Sequence, residues 1–291
     1  MTKREKRQGT CQLLGTEGLF AQSHIIPRFL GDKALGQAHR IELGELGARP
    51  RLVFNSWTDG ELCSRKGEER LRDIDTEAAK IFRSHGLSWR HFPLAENSSR
   101  TALGDDGVEI ITISDVDTEK LRLFFLSVLW RCAASTQFRF AEIHLPSEDL
   151  DYLRRVIVGE VEPKIEDWPA TLLLLTDAGE PQVLGPMAQE IDMQSLGFDL
   201  PSIPIFRFFF DGLIVHMGRK SGDHGLLDNW QGRVVGETDS LCLTGRPYFG
   251  SSQEANLNAL MHEAQREHSD QTLRILSKIW DIDSKTRVNT P

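Results

Sequence analysis

The 291-residue chain has no apolar run that approaches the ~20 consecutive residues a membrane-spanning helix needs. Its first residues, MTKREKRQ, are charged and precede no apolar stretch, which predicts that no signal peptide is present. Cysteine is also scarce, because four residues spread from Cys11 to Cys242 are too few and too scattered for a disulfide framework. These absences predict a cytoplasmic protein with reduced thiols and no membrane partner.

The net charge of -9 is unevenly distributed along the chain. Residues 1–100 contain 17 Lys and Arg against 13 Asp and Glu, whereas residues 101–291 contain 17 against 30, so the net charges are +4 and -13. Such asymmetry is typical of a part that faces nucleic acid joined to a part that does not. Chance variation of a solvated surface explains the same counts equally well.

Local patterns predict a small ββα unit at the N-terminus. The runs CQLLG and LFAQSHII, separated by TEG, predict a β-hairpin that ends at Pro27, because proline has no backbone N–H to donate. A helix is predicted to begin near Gly67 or Glu68 and to stop at Gly86. Its buried stripe follows helical spacing and comprises Leu71, Ile74, Ala78, Ile81 and Phe82.

The polar stretch LAENSSRTALGDDG predicts a linker, which divides the chain into a unit at residues 1–95 and a second α+β domain at residues 96–291. The second domain is predicted to contain strands at VEIITIS and ATLLLLTD, and a hairpin that turns at Asp211 and Gly212. Helices are predicted in DVDTEKLRLFFLSVLWRCAAST, in SEDLDYLRRVIVGE with Ser147 as N-cap, and over residues 252–280. The fold class is therefore α+β.

In the N-terminal unit Cys11 precedes the predicted hairpin, His24 lies at its end in HIIPR, and Cys63 leads the acidic helix GEERLRDID. This order of features resembles the HNH nuclease family, whose ββα-metal unit has a general-base histidine at the end of a hairpin and a metal ligand on the next helix. The chain also looks like a group of bacterial HNH-like proteins with HIIPR and a later buried helix, here FFLSVLWRCAAS. The resemblance covers residues 11 to about 160 and implies DNA cleavage, in defence against foreign DNA.

Many members of that family hold a structural zinc ion with one CxxC pair before the hairpin and another at the start of the helix. In this chain Leu14 follows Cys11, and Lys66 or Gly67 follows Cys63, where the second cysteines would stand. Structural zinc is almost always four-coordinate, so two thiolates alone would not hold it. We therefore expect Cys11 and Cys63 to be the remnant of a lost zinc site, with Leu14 filling part of its volume.

The resemblance implies a role for four further residues. His24 aligns with the general base, for which a neutral imidazole near pH 7 is suited. Asp59 falls near the catalytic loop position, and Glu68 aligns with the metal ligand on the helix. Asp75 lies two helical turns beyond Glu68 on the same face and is a second candidate ligand. Such oxygen ligands suit Mg²⁺ or Mn²⁺.

Each of these residues also has a purely structural interpretation. His24, next to two isoleucines, is equally consistent with a core histidine bonded to a backbone carbonyl. Glu68 could only complement the helix dipole, and Asp75 could pair with Arg72 or another basic residue on the helix surface.

Two functions of different classes follow from these alternatives. The leading hypothesis is a metal-dependent nuclease of the HNH type that acts on DNA. The alternative is a catalytically inactive HNH-like module that binds nucleic acid or a partner protein. In either case DNA is the expected partner of the N-terminal unit, and the acidic C-terminal domain is the expected surface for a partner protein.

Overall fold

The computed structural model describes residues 7–31, 40–42, 51–53, 57–177, 183–192, 194, 199, 201–219, 232–267 and 269–270. These residues have the α+β fold that the sequence predicts, with helices packed against one large mixed sheet. None of the helices they form is long and apolar enough to cross a membrane.

The N-terminal unit contains short antiparallel strand pairs and one long helix. The pairs are β1 (Gln8–Thr10) with β2 (Glu17–Leu19), β3 (Ser23–His24) with β6 (Thr58–Asp59), and β4 (Arg40–Glu42) with β5 (Arg51–Val53). Helix α1 (Arg28–Gly31) follows β3, and helix α2 (Arg65–His85) follows β6.

The predicted N-terminal hairpin is wrong in its strand assignment. CQLLG forms the turn between β1 and β2, in which the Gly15 N–H donates to the Cys11 carbonyl at 2.8 Å. Gly15 has a φ of 65°, which glycine adopts without the penalty of a Cβ. His24 belongs to the separate strand β3 and lies opposite Thr58 in β6. The strand that carries His24 is therefore held by a long-range pairing that local spacing does not reveal.

Helix α2 confirms the predicted helix, although it begins two residues before Gly67. Ser64 is its N-cap and accepts a hydrogen bond from the Gly67 N–H at 3.4 Å. Gly86 ends the helix with a φ of 67°, and a Cβ at this position would lie 2.4 Å from the Pro93 carbonyl oxygen. The predicted stripe is buried at every position: Leu71, Ile74, Ala78, Ile81 and Phe82.

Seven strands form the large sheet, in the order β10-β11-β12-β9-β13-β8-β7. They are β7 (Ser98–Ala102), β8 (Glu109–Ile113), β9 (Ala170–Leu175), β10 (Val183–Ile191), β11 (Ile203–Phe210), β12 (Leu213–Gly218) and β13 (Leu241–Arg246). Neighbouring strands are antiparallel except for β9 and β13, which are parallel. The β11–β12 hairpin is confirmed, since Asp211 and Gly212 have φ values of 52° and 95°, as its tight turn requires.

The predicted linker contains a strand. Ser98–Ala102 pairs with β8 along its length and forms one edge of the large sheet. All but one of its residues are exposed, so the strand has no alternation of apolar and polar side chains to indicate it. The boundary at residue 95 falls in the loop just before this strand, and the division into two domains stays a prediction.

Helix α3 (Thr118–Ala134) lies at the centre of the hydrophobic core, as its apolar surface predicts. Its Phe124 ring lies 5.9 Å from that of Phe82 in α2, so the core is continuous between the N-terminal unit and the sheet. Helix α4 (Ser147–Val158) begins at Ser147 with Pro146 as its cap, which corrects the predicted N-cap. Helix α5 (Ser252–Glu267) starts where the last helix was predicted, and residues 271–280 of that prediction lie outside the described residues.

Candidate active site

Cys11 and Cys63 are brought together at the start of α2. Backbone hydrogen bonds from the Gln12 N–H to the Leu62 carbonyl, at 3.1 Å, and from the Ala21 N–H to the Cys63 carbonyl, at 2.9 Å, hold the two segments side by side. Both thiols are free and fully buried, and Cys63 donates a hydrogen bond to the Cys11 sulfur. This hydrogen bond and burial raise the pKa of the Cys63 thiol, so the pair does not carry two thiolates at neutral pH.

The surroundings of this thiol pair do not fit a structural zinc ion. Leu14 is partly buried against the hydrophobic core, which agrees with the expectation that it fills volume there. A Cβ at Gly67 would lie 2.7 Å from the Cys11 sulfur, so helix backbone closes the space on that side. Within the described ranges, no three or more His, Cys, Asp or Glu side chains are grouped so that they could hold a metal ion.

Purified protein is therefore expected to contain well under one zinc ion per chain, because two buried sulfurs supply half of a tetrahedral ligand set. Elemental analysis after saturation with zinc and dialysis measures this content directly. A stoichiometric zinc ion that survives dialysis against a chelator would contradict the prediction.

His24 and Glu68 lie side by side at the surface of the N-terminal unit. His24 is at the end of β3 and Glu68 is in the first turn of α2, and their Nδ1 and Oε1 atoms are 3.8 Å apart. The two side chains are 30% and 26% exposed, so the imidazole is not enclosed in an apolar core. The Glu68 Oε2 atom is buried and has no hydrogen-bond partner. The pair therefore combines a partly exposed imidazole with a carboxylate that has one buried, unpartnered oxygen.

Asp59 lies close to His24 in the β3–β6 strand pair, but its carboxylate binds other groups of the protein. In this pair Asp59 lies opposite Ser23, the residue that precedes His24. The carboxylate is buried, and its two oxygens accept hydrogen bonds from the Glu61 N–H and the Ser135 hydroxyl, each at 2.8 Å. These contacts fix the loop after β6 and attach it to the end of α3.

Asp75 is held by Arg131, a buried residue of α3 that the sequence interpretation did not assign to the site. Arg131 donates from Nη1 and Nη2 to the two Asp75 oxygens, at 3.0 and 2.5 Å. The expected surface partner of Asp75, Arg72, is thus replaced by a residue whose side chain is only 1% exposed. Burial raises the pKa of Asp75, and the Arg131 charge opposes this rise.

Arg131 also connects this ion pair to the candidate base. Its Nη1 donates to the His24 carbonyl at 3.2 Å, and its Nη2 donates to the Ser127 hydroxyl at 2.9 Å. The guanidinium therefore fixes the backbone at the end of β3 through its hydrogen bond to the His24 carbonyl. An arginine in the nearly apolar run FFLSVLWRCAAS was the available signal, because a buried guanidinium requires an acidic partner.

His24, Asp59, Glu68, Asp75 and Arg131 form a cluster whose imidazole and carboxylate groups are of the kind used in acid–base chemistry. A partly exposed imidazole beside a carboxylate accepts a proton from water when it is neutral. The unpartnered Glu68 oxygen suits a hard cation, but it is a single protein ligand, since both oxygens of Asp75 accept from Arg131. Mg²⁺ commonly keeps several waters and is bound through one or two carboxylates and substrate phosphates, so a hydrated ion fits this donor set. Comparisons of the chain with protein-family models, with curated proteins and with solved structures find no match.

Proposed function

We propose that the N-terminal unit is a divalent-metal-dependent nuclease of the HNH type that acts on DNA. The observation that carries the proposal is the contact between His24 and Glu68, with an unpartnered carboxylate oxygen, at a partly exposed junction of a strand end and a helix start. The sequence of residues 1–100, with a net charge of +4, supports a polyanionic substrate for this part of the chain.

In this proposal each residue of the cluster has one role. His24 takes the proton from the attacking water through its imidazole, and Glu68 would hold a hydrated Mg²⁺ or Mn²⁺ ion. The ion, when bound, stabilises the charge that develops on the scissile phosphate. Asp59 orders the loop after β6, and Asp75 acts as a positioning residue through Arg131, which bonds to the His24 carbonyl.

The function is tested by nicking of supercoiled plasmid DNA with Mg²⁺ or Mn²⁺, comparing the wild type with Glu68→Gln and Glu69→Gln. Glu69 is the matched control, because it is an exposed glutamate that directly follows Glu68 near the start of α2. We expect Glu68→Gln to lose about two orders of magnitude in rate, because a neutral amide is a poor ligand for a hard cation, and Glu69→Gln to keep wild-type activity. Equal activity of all three proteins would contradict the role of Glu68.

A second candidate function is a catalytically inactive HNH-like module that binds nucleic acid or a partner protein. The observation that favours it is that Asp59 and Asp75 already accept hydrogen bonds from protein groups, which reduces the metal ligands to Glu68. This candidate predicts salt-dependent DNA binding without cleavage for the wild type and both variants.

A further inference from the structure

The seven-stranded sheet has two faces with different surroundings. Side chains alternate along each strand, and one face packs into the main core through residues such as Leu174, Phe208 and Val215. On the opposite face, strands β9 to β13 and the beginning of α5 line a cleft of about 220 Å³. The cleft lies in the second part of the chain, whereas His24 and Glu68 belong to the N-terminal unit.

The lining of the cleft combines an apolar floor with basic and neutral polar groups. Leucine and isoleucine side chains of the sheet form the floor, while Arg207, His216 and Arg246 supply the basic groups. Ser251, Ser252 and Gln253 contribute from the start of α5, and among the residues that the structure describes no acidic side chain lines the cleft. Since residues 101–291 carry a net charge of -13, this basic lining is a local feature of an acidic part of the chain.

Arg207 has no acidic partner among the residues that the structure describes. It lies directly opposite His216 in the β11–β12 pair, and its Nη2 donates to the Gln253 Oε1 at 2.7 Å. Burial lowers the pKa of Arg207, and no neighbouring carboxylate offsets this effect. Burial and the Arg207 charge also lower the pKa of His216 to about 4, so the imidazole is neutral at pH 7. A partly buried guanidinium without a counter-charge is costly, and a bound anion would remove that cost.

The start of α5 adds polar side chains at the same place. The Ser251 hydroxyl caps the helix by accepting from the Glu254 N–H at 3.2 Å, and Gln253 is buried beside Arg207. Glu254 itself bonds to the Gly250 N–H at 2.7 Å and is not part of the lining. The positive end of the helix dipole therefore faces a cleft that already contains two arginines.

We propose that this cleft binds a small organic anion, with a carboxylate or phosphate head between Arg207 and Arg246 and an apolar body against the sheet floor. Guanidinium groups suit both heads because their N–H donors match the paired oxygens. The volume of about 220 Å³ lies below the ~300 Å³ at which typical ligand pockets begin, so the occupant is the size of a small metabolite. The proposal is independent of the nuclease function.

Binding to the full chain is measured by isothermal titration calorimetry with phenyl phosphate, with benzoate and with the uncharged analogue benzyl alcohol, at constant ionic strength. We expect at least one of the two anions to bind saturably at one site per chain, and benzyl alcohol to bind at least tenfold more weakly. A preference for phenyl phosphate or for benzoate identifies the head group as phosphate or carboxylate.

Arg207→Gln and Arg246→Gln should each weaken the binding of that anion by about ten- to a hundredfold, the loss expected for one charged hydrogen-bonding partner. Arg100→Gln is the control, because Arg100 lies in the same sheet but is exposed and pairs with Glu109. Arg246 is exposed, so its replacement is the variant less prone to unfold, and circular dichroism verifies the fold of each protein. Failure of both anions to bind the wild type, or unchanged affinity in both cleft variants, would overturn the proposal.

Discussion

Asp75→Ala should lower the free energy of unfolding by about 3 to 5 kcal/mol, the range for removing one partner of a buried ion pair. The physical reason is that the Arg131 side chain, only 1% exposed, would keep its charge in the core without a counter-ion. Arg131 would retain hydrogen bonds to the Ser127 hydroxyl and the His24 carbonyl, which do not neutralise its charge. Urea denaturation followed by circular dichroism measures the loss.

Two further variants separate this ion pair from a general effect of mutating α2. Asp73→Ala removes an exposed carboxylate from the same helix and should change stability by no more than about 0.5 kcal/mol. Asp75→Leu combined with Arg131→Met replaces both charges by apolar groups and should recover most of the stability. A loss below about 1 kcal/mol for Asp75→Ala would contradict the role of Asp75 as the counter-ion of Arg131.

His24→Ala should reduce metal-dependent nicking of plasmid DNA by about 10²- to 10⁴-fold, the usual contribution of a general base. The variant should bind DNA nearly as tightly as the wild type, because the imidazole is neutral when it acts as the base and the positive charge of residues 1–100 is unchanged. Affinity should still fall as salt is added, as contacts with phosphates require. Nicking rates and DNA affinities at several salt concentrations provide the two measurements.

His144→Ala is the matched control for the base, because His144 is an exposed histidine outside the N-terminal unit. It should nick DNA at the wild-type rate. If His24→Ala is as active as this control, His24 is not the base. If the wild type itself is inert toward DNA and RNA with Mg²⁺, Mn²⁺, Ni²⁺ and Zn²⁺, the binding-module candidate replaces the nuclease.

Elements with strong local signals were predicted well from the sequence. Helix α2 has an apolar stripe and a terminal glycine at Gly86, and the β11–β12 hairpin has the Asp211–Gly212 turn. In both cases the residues that determine the element are neighbours in sequence, so their effect does not depend on the rest of the fold. The burial of α3 followed from its apolar surface for the same reason.

Elements that depend on distant partners were missed or misassigned. Ser98–Ala102 is mostly exposed and becomes a strand only because β8 supplies its hydrogen bonds. The strands β10 and β13 were not predicted, and β13 joins β8 to β9 in the middle of the sheet. The N-terminal hairpin was assigned with the wrong strands, because β3 pairs with β6 beyond an intervening segment. Pairing between distant segments leaves little trace in local composition.

At the candidate site, the sequence and its resemblance to HNH nucleases indicated which side chains belong together. The structure brings His24 close to Glu68 and Cys11 into contact with Cys63, and the roles that the resemblance implies for them stay predictions. The resemblance did not indicate which protein groups bind the carboxylates of Asp59 and Asp75. Ser135, at the end of α3, donates a hydrogen bond to Asp59, and Arg131 of α3 donates to Asp75.

The amino-acid sequence alone specifies the residue types of the candidate site: a histidine next to strand-forming residues, an acidic start of α2, two unpaired cysteines and a basic N-terminal part. The pairing of Asp75 with Arg131, and the position of Arg207 and Arg246 in the lining of one cleft that has no described acidic lining residue, depend on the tertiary fold. The reason is that a charge takes its properties from the groups that burial brings next to it, and those groups come from distant parts of the chain.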